Sequence, residues 1–125
     1  MAHILIIDDD AAIRTALVFA LGSAGHTVTY ATDGRRALHL LRAKPADLVI
    51  TDLVMPEQDG IETIMAIRHL FPTMPVIAMS GALPNATLYL EIAANLGVRH
   101  ALTKPFDRAT LLDAVDQVLE RVHAA

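Results

Sequence analysis

Short apolar runs alternate along the chain with longer stretches of mixed polarity. The runs Ile4 to Ile7, Leu48 to Ile50 and Val76 to Met79 contain no polar residue, which favours strands covered on both faces. His26 to Tyr30 instead alternates apolar and polar positions, as an edge strand does. Arg99 to Thr103 predicts a weaker last strand. The pattern therefore predicts five strands in all.

Between these runs, apolar residues recur every three or four positions, which is the spacing of a helix face. The predicted inward faces are, in chain order, Ile13, Leu17 and Leu21; Ala37, Leu38 and Leu41; Ile61, Ile64 and Met65; Leu88, Ile92 and Leu96; and Leu111, Val115, Val118 and Val122. We expect helix ends at the Gly22 to Gly25 stretch and at Gly97, and helix caps at Asp59 and Asp107. Helical connections imply parallel strands, so the pattern predicts an α/β fold with helices on both faces of one sheet.

Composition restricts the class of protein. The 125 residues are enough for one ordinary domain, expected to span 1–125. Apolar residues make up 54% and charged residues 19%, which is typical of a folded domain. The net charge of -4 and the lack of Lys or Arg runs argue against direct nucleic-acid binding. The start of the chain is neither a signal peptide nor a membrane span, so a cytoplasmic location is the default expectation.

Polar side chains follow four of the five predicted strands: Asp8 and Asp9, Asp52, Ser80, and Lys104. The carboxyl ends of parallel strands share one edge of the sheet, so these groups are expected to converge. Carboxylates are hard oxygen ligands suited to Mg²⁺. With their charge neutralised, Asp52 can attack phosphorus and form an acyl phosphate. Lys104 and Ser80 can bind phosphoryl oxygens.

Taken singly, these residues have simpler explanations. Asp52 or Ser80 could cap a helix or a turn, and a lone lysine is usually a solvated surface group. Pro105 directly follows Lys104, and it favours a fixed peptide, including a cis one, that aims the lysine. The coincidence of four polar strand ends favours a functional site.

The motifs Asp8-Asp9, Asp52 with Met55-Pro56 and Asp59-Gly60, Ser80-Gly81, and Lys104-Pro105-Phe106 resemble the receiver domain of two-component response regulators. The resemblance covers almost the whole chain and implies a flavodoxin-like, doubly wound (βα)5 fold with strand order 2-1-3-4-5. It also implies a domain that accepts a phosphoryl group from a histidine kinase or a histidine phosphotransfer protein and then switches the binding of a partner. Such a domain is a signalling switch and not a turnover enzyme.

By this resemblance, Asp52 is the phosphoacceptor, Lys104 binds the phosphoryl group and Ser80 is the switch hydroxyl. The implied Mg²⁺ ligands, among them a backbone carbonyl of the Leu53–Val54 region, are Asp8, Asp9, Asp52 and Val54. Which of the first two acids binds the metal directly, and which through water, stays open at this point.

Receivers often carry an aromatic residue three positions before the lysine, where this chain has Ala101. His100 is a poor substitute because neighbouring strand residues point to opposite faces. We therefore expect the signal to leave through the Ser80 to Leu83 loop and the following helix.

Two further expectations concern the loops and that helix. Val54 and Ala82 are apolar and cannot orient an attacking water, which predicts a persistent acyl phosphate. The segment Pro84 to Val98 holds one charged residue, Glu91, and an apolar outer face, with Leu83, Tyr89 and Leu90, indicates either a partner surface or a well-buried helix.

A phosphatase of the haloacid dehalogenase type is the main alternative, because Asp8 and Asp10 resemble its paired nucleophile and acid. That family expects Thr or Val two residues after the second acid, where this chain has Ala12, and it needs a late acidic pair and a cap. A pseudo-receiver that signals without phosphate is a third interpretation, against which the complete acid, hydroxyl and lysine set argues. The sequence leaves the output partner or domain open.

Overall fold

Strands and helices alternate along the chain in the computed structural model, which describes residues 2–53, 60–81, 86–98 and 100–124. The elements are β1 His3–Ile7, α1 Ala11–Ser23, β2 Thr27–Ala31, α2 Gly34–Ala43, β3 Leu48–Asp52, α3 Gly60–Leu70, β4 Val76–Ser80, α4 Ala86–Asn95, β5 His100–Thr103 and α5 Arg108–Ala124. Among the described residues, no helix has the length and apolar character needed to cross a membrane.

The five strands form one parallel sheet in the order β2-β1-β3-β4-β5, which confirms the predicted fold. Every residue of β3 and β4 is buried, as their unbroken apolar runs predicted. At the edge, β2 leaves Thr27 and Tyr30 exposed. These two residues lie on opposite faces of the strand, so their exposure does not follow the predicted alternation of apolar and polar positions.

Two hydrophobic cores cover the two faces of the sheet. Alternate residues of β1 divide between them, with Leu5 and Ile7 facing α2, α3 and α4, and Ile4 and Ile6 facing α1 and α5. This division follows from the two-residue repeat of a strand. Since both faces are covered, the polar strand ends are left at the edge of the sheet.

The predicted end of α1 within the Gly22 to Gly25 stretch is confirmed. The helix continues through Gly22 to Ser23, and Gly25 adopts the left-handed conformation, with φ 96°. Glycine alone adopts such a φ without a steric cost. The helix begins where Asp10 caps it, its carboxylate accepting from the N–H groups of Ala12 and Ile13.

Helices α3 and α4 differ from the prediction in which apolar residues face inward. Met65 is 54% exposed, and Ile67 is buried in its place. In α4, the predicted inward residues Leu88 and Ile92 are 55% and 36% exposed, while Ala93 is buried. Both faces of these helices carry apolar residues, so periodicity alone does not choose between them. An apolar outer face of α4 therefore exists, but Leu88 and Ile92 form it.

Arg68 joins α3 to the residues that directly follow α4. Its Nε donates to the Leu96 carbonyl at 2.8 Å, and Nη2 donates to the Gly97 carbonyl at 3.4 Å. Nη1 donates to the carbonyls of Met74 and Pro72 in the loop before β4. These donors bind carbonyls that a helix end and a loop leave without intrahelical partners.

Candidate functional site

The polar strand ends meet at one edge of the sheet. Asp52 and Ser80 close β3 and β4, and Asp8 and Lys104 directly follow β1 and β5. The N–H of Lys104 donates to the Ser80 carbonyl at 2.7 Å, which extends the ladder between the last two strands. Asp8, Asp52 and Ser80 are buried, whereas Asp9 is exposed. The sheet therefore brings together these five side chains from four separate parts of the sequence.

Lys104 forms ion pairs with two of the acids. Its Nζ lies 3.0 Å from Asp8 Oδ2 and 3.3 Å from Asp52 Oδ2. Burial, the largest single influence, lowers the pKa of Lys104, but the hydrogen bond to Asp8 and the charges of Asp52 and Asp8 together outweigh it and raise the pKa above 10.5. Lys104 therefore stays protonated at neutral pH. The peptide bond between Lys104 and Pro105 is cis.

This raised pKa predicts how stability falls at alkaline pH. Folding favours charged Lys104, so its contribution is fully present below the unfolded pKa of about 10.4 and is lost as pH rises through the higher folded value. Above about pH 10, the free energy of unfolding should fall more steeply with pH in the wild type than in Lys104→Met.

Urea unfolding across this range measures the difference. Lys44 is the matched control, because it is exposed and also precedes a proline. Lys44→Met should keep the wild-type slope. Parallel curves for wild type and Lys104→Met would contradict the prediction.

Asp8, Asp9 and Asp52 each place a carboxylate oxygen within 4.8 Å of the other two. Such a cluster of hard oxygen donors fits Mg²⁺, which is bound by a few carboxylates and completes its octahedron with water. The open side is provided by Asp9, which is exposed. The three acids thus have the chemistry and spacing of a divalent-cation site.

Asp8 forms hydrogen bonds through its N–H, its carbonyl and both carboxylate oxygens. Its N–H donates to the Ala31 carbonyl at 3.2 Å, its Oδ1 accepts from the N–H of Asp10 at 2.9 Å, and its Oδ2 accepts from Lys104. Its carbonyl accepts from Arg14 Nη1 at 3.0 Å. Arg14 is not among the site residues predicted from the sequence, although it is the one charged residue in the sequence of α1.

The Ser80 hydroxyl is buried, and its Oγ has no hydrogen-bond partner among the described residues. A buried hydroxyl without a partner costs about 1–3 kcal/mol, and such groups are concentrated at functional sites. The hydroxyl is thus available to a group that enters the cleft.

Ser80→Ala should leave the free energy of unfolding unchanged or raise it by about 1 kcal/mol, because alanine removes the unsatisfied hydroxyl. Urea unfolding without Mg²⁺ tests this. Thr103→Ala is the control, since Thr103 pairs with Ser80 in the sheet but is exposed. A loss of more than about 1 kcal/mol in Ser80→Ala would mean that the hydroxyl is already bonded.

Several predicted positions lie outside the described residues. These are Val54 with its carbonyl, Met55-Pro56, the proposed cap Asp59, and Ala82 to Asn85.

In β5, Ala101 is exposed and its neighbour Leu102 is buried, as expected for side chains that alternate between faces. The predicted cap of α5 is confirmed, since Asp107 accepts from the N–H of Thr110 at 2.8 Å.

Comparison with known sequences identifies relatives across most of the chain. Residues 4–116 match the family model described as the response regulator receiver domain. The transcriptional regulatory protein GlrR of Escherichia coli K12 is 38% identical over 96% of this chain and 27% of its own length. The DNA-binding transcriptional regulator NtrC of Azospirillum brasilense is 36% identical over 94% of this chain and 24% of its own. The chain thus spans about a quarter of these curated relatives.

Solved structures give the same fold. The chemotaxis protein CheY4 of Vibrio cholerae superposes with a TM-score of 0.86 at 30% identity, covering 94% of this chain and 98% of its own. NtrX of Brucella abortus superposes with a TM-score of 0.90 at 28% identity, covering 96% of this chain and 27% of its own.

Proposed function

Because the chain belongs to the response regulator receiver domain family, we propose that it is a phosphoacceptor switch in which Asp52 takes a phosphoryl group from a phosphohistidine. The donor is a histidine kinase or a histidine phosphotransfer protein. The observation that carries the proposal is the position of the Lys104 ammonium, which binds both Asp8 and Asp52 at the end of the central strand. This ammonium lies where a phosphoryl group on Asp52 would need a cation.

The proposed transfer joins an Asp52 carboxylate oxygen to phosphorus. The P–N bond to the donor histidine breaks, and its electron pair returns to the imidazole nitrogen, leaving an acyl phosphate on Asp52. Lys104 then pairs with a phosphoryl oxygen, and the Ser80 hydroxyl donates to another. That bond would give the Ser80 hydroxyl the partner it lacks among the described residues.

Mg²⁺ is the proposed cofactor, held by Asp8, Asp9, Asp52 and the carbonyl of Val54. When bound, it supplies the positive charge that offsets the repulsion between the carboxylates and the incoming phosphoryl oxygens. Support comes from the three acids that lie within 4.8 Å of one another. Asp8 is buried and already bound to Lys104, while Asp9 is open to solvent.

The surface beside the site suits a docking protein. An apolar cleft of about 370 Å³ lies next to Lys104, between α1 and the Pro105-Phe106 segment. Ile13 and Ala16 line its α1 side. We propose that the protein that carries the phosphohistidine docks in this cleft, because the cleft lies next to Lys104, which pairs with Asp52.

The phosphatase alternative is disfavoured by Asp10. A phosphatase of the haloacid dehalogenase type would use this carboxylate as its acid, but here the side chain caps α1 through the N–H groups of Ala12 and Ile13. The complete set of acids, lysine and hydroxyl supports a phosphate-dependent switch over a pseudo-receiver.

We further propose that the domain works in the cytoplasm and that its phosphorylated form changes the binding of an output partner or domain.

Labelling of the wild type tests the proposal. Phosphoramidate has the same P–N bond as phosphohistidine, so with Mg²⁺ it should add one phosphoryl group to each chain, and without Mg²⁺ it should not. Turnover of a generic phosphomonoester would instead favour the phosphatase.

The lifetime of the label tests the prediction that the acyl phosphate is persistent. Loss of the label within seconds would contradict that prediction.

A further inference from the structure

Arg14 contacts the turn formed by Asp8, Asp9 and Asp10 through the main chain, and no carboxylate of the described residues pairs with it. Its Nη1 donates to the Asp8 carbonyl at 3.0 Å. Its guanidinium carbon lies 5.2 Å from the centre of the Tyr30 ring, within the range of a cation–π contact. Arg14 is thus held between the edge strand β2 and the turn that follows β1.

The carboxylates of Asp8 and Asp9 are held in different ways. The Asp8 carboxylate is fixed by Lys104 and by the N–H of Asp10. Asp9 is exposed, and no described residue forms a hydrogen bond or ion pair with its carboxylate. The position of Asp9 is therefore set by the main chain that carries it.

One peptide plane connects Arg14 to Asp9. The carbonyl of Asp8 and the N–H of Asp9 belong to the same planar unit. A donor that holds the carbonyl oxygen fixes the rotation of this plane, and with it the Cα position of Asp9 and the direction in which its side chain leaves. Without Arg14, the plane loses the side-chain donor that holds its carbonyl.

We propose that Arg14, supported by the Tyr30 ring, is a positioning residue that places the Asp9 carboxylate for Mg²⁺. The inference rests on the proposed function, because it assumes that Mg²⁺ binds at Asp8, Asp9 and Asp52. Arg14 aids Mg²⁺ binding by fixing the position of Asp9, although its own positive charge opposes the binding of a cation. By Coulomb's law alone, removing a cation near the site would strengthen Mg²⁺ binding, so the sign of the effect separates positioning from electrostatics.

A Mg²⁺ titration of the unphosphorylated protein, followed by calorimetry and by amide shifts of Asp9 and Asp10, measures this effect. Arg14→Ala should raise the Mg²⁺ dissociation constant by about tenfold, in the range found for groups that orient metal ligands. Arg14→Lys should recover part of the affinity, because it keeps one donor. Arg36→Ala, at an exposed arginine on α2, should bind as the wild type does.

A double-mutant cycle tests the route through Asp9. In an Asp9→Asn background, adding Arg14→Ala should change the dissociation constant less than about twofold, because the carboxylate that Arg14 positions is already gone. A purely structural role for Arg14 would instead give about the same tenfold loss in both backgrounds. Tyr30→Leu, which removes the aromatic ring and leaves Arg14, should give a smaller loss and serves if Arg14→Ala does not fold.

The outcomes are distinguishable. Unchanged or tighter Mg²⁺ binding in folded Arg14→Ala, or in Tyr30→Leu if the first variant does not fold, would overturn the inference and leave the proposed function standing. An equal loss in both backgrounds would also overturn it. A wild type that binds no Mg²⁺ would overturn both the inference and the proposed function.

Discussion

Asp52→Asn is expected to abolish Mg²⁺-dependent labelling by phosphoramidate. An asparagine amide has nearly the same shape as the carboxylate, so the side chain still fills its buried position at the end of β3. It is not a nucleophile that can form an acyl phosphate. Intact-protein mass spectrometry before and after incubation measures the label directly.

The control for this substitution is Asp116→Asn, at an exposed position on α5, which should label as the wild type does. Both variants lose one carboxylate, so a difference between them comes from position and not from net charge. Undiminished labelling of Asp52→Asn would show that another acid, such as Asp8 or Asp9, is the acceptor.

Gly60→Ala is expected to lower the free energy of unfolding by about 3 kcal/mol or more, at the upper end of the cost of overpacking. A Cβ at this position would lie 2.2 Å from the Asp52 carbonyl oxygen, and 2.6 and 2.7 Å from the Cα and carbonyl oxygen of Leu53. All three are main-chain atoms, which cannot turn aside as a flexible side chain can. The Gly60 N–H also donates to the Leu53 carbonyl at 2.9 Å, which keeps the two segments close.

Urea unfolding measures the loss, and the same variant should label more slowly, because the added methyl group displaces the chain that carries the acceptor. Gly22→Ala is the matched control. A Cβ there meets nothing within 4 Å, and the position is inside α1, so this variant should gain about 0.5–1 kcal/mol. Similar stabilities for the two variants would contradict the argument from close approach.

The parts of the fold that could be predicted are those that follow from local pattern and from sheet geometry. Unbroken apolar runs identified β1, β3 and β4, and parallel pairing placed Asp8, Asp52 and Lys104 at one edge before any contact was known. The side chains at this edge are spread over almost the whole sequence, but the direction of the strands is enough to group them.

The parts that could not be predicted depend on tertiary contacts. In α4, the two faces are about equally apolar, so the sequence did not show that Leu88 would be exposed and Ala93 buried. The contact of Arg14 involves a main-chain carbonyl, and a sequence pattern carries little information about such a partner. That the Ser80 hydroxyl has no partner among the described residues is likewise a property of the surrounding structure, and no residue type predicts it.

The bonds from Arg68 to the carbonyls of Leu96 and Gly97 hold the chain directly after α4. The ten residues of this helix span about 15 Å. A tilt of about 10° about the anchored end would therefore move the first turn by about 3 Å and the last turn hardly at all. In such a tilt, Leu88, in the first turn of the helix, would move farther than Ile92.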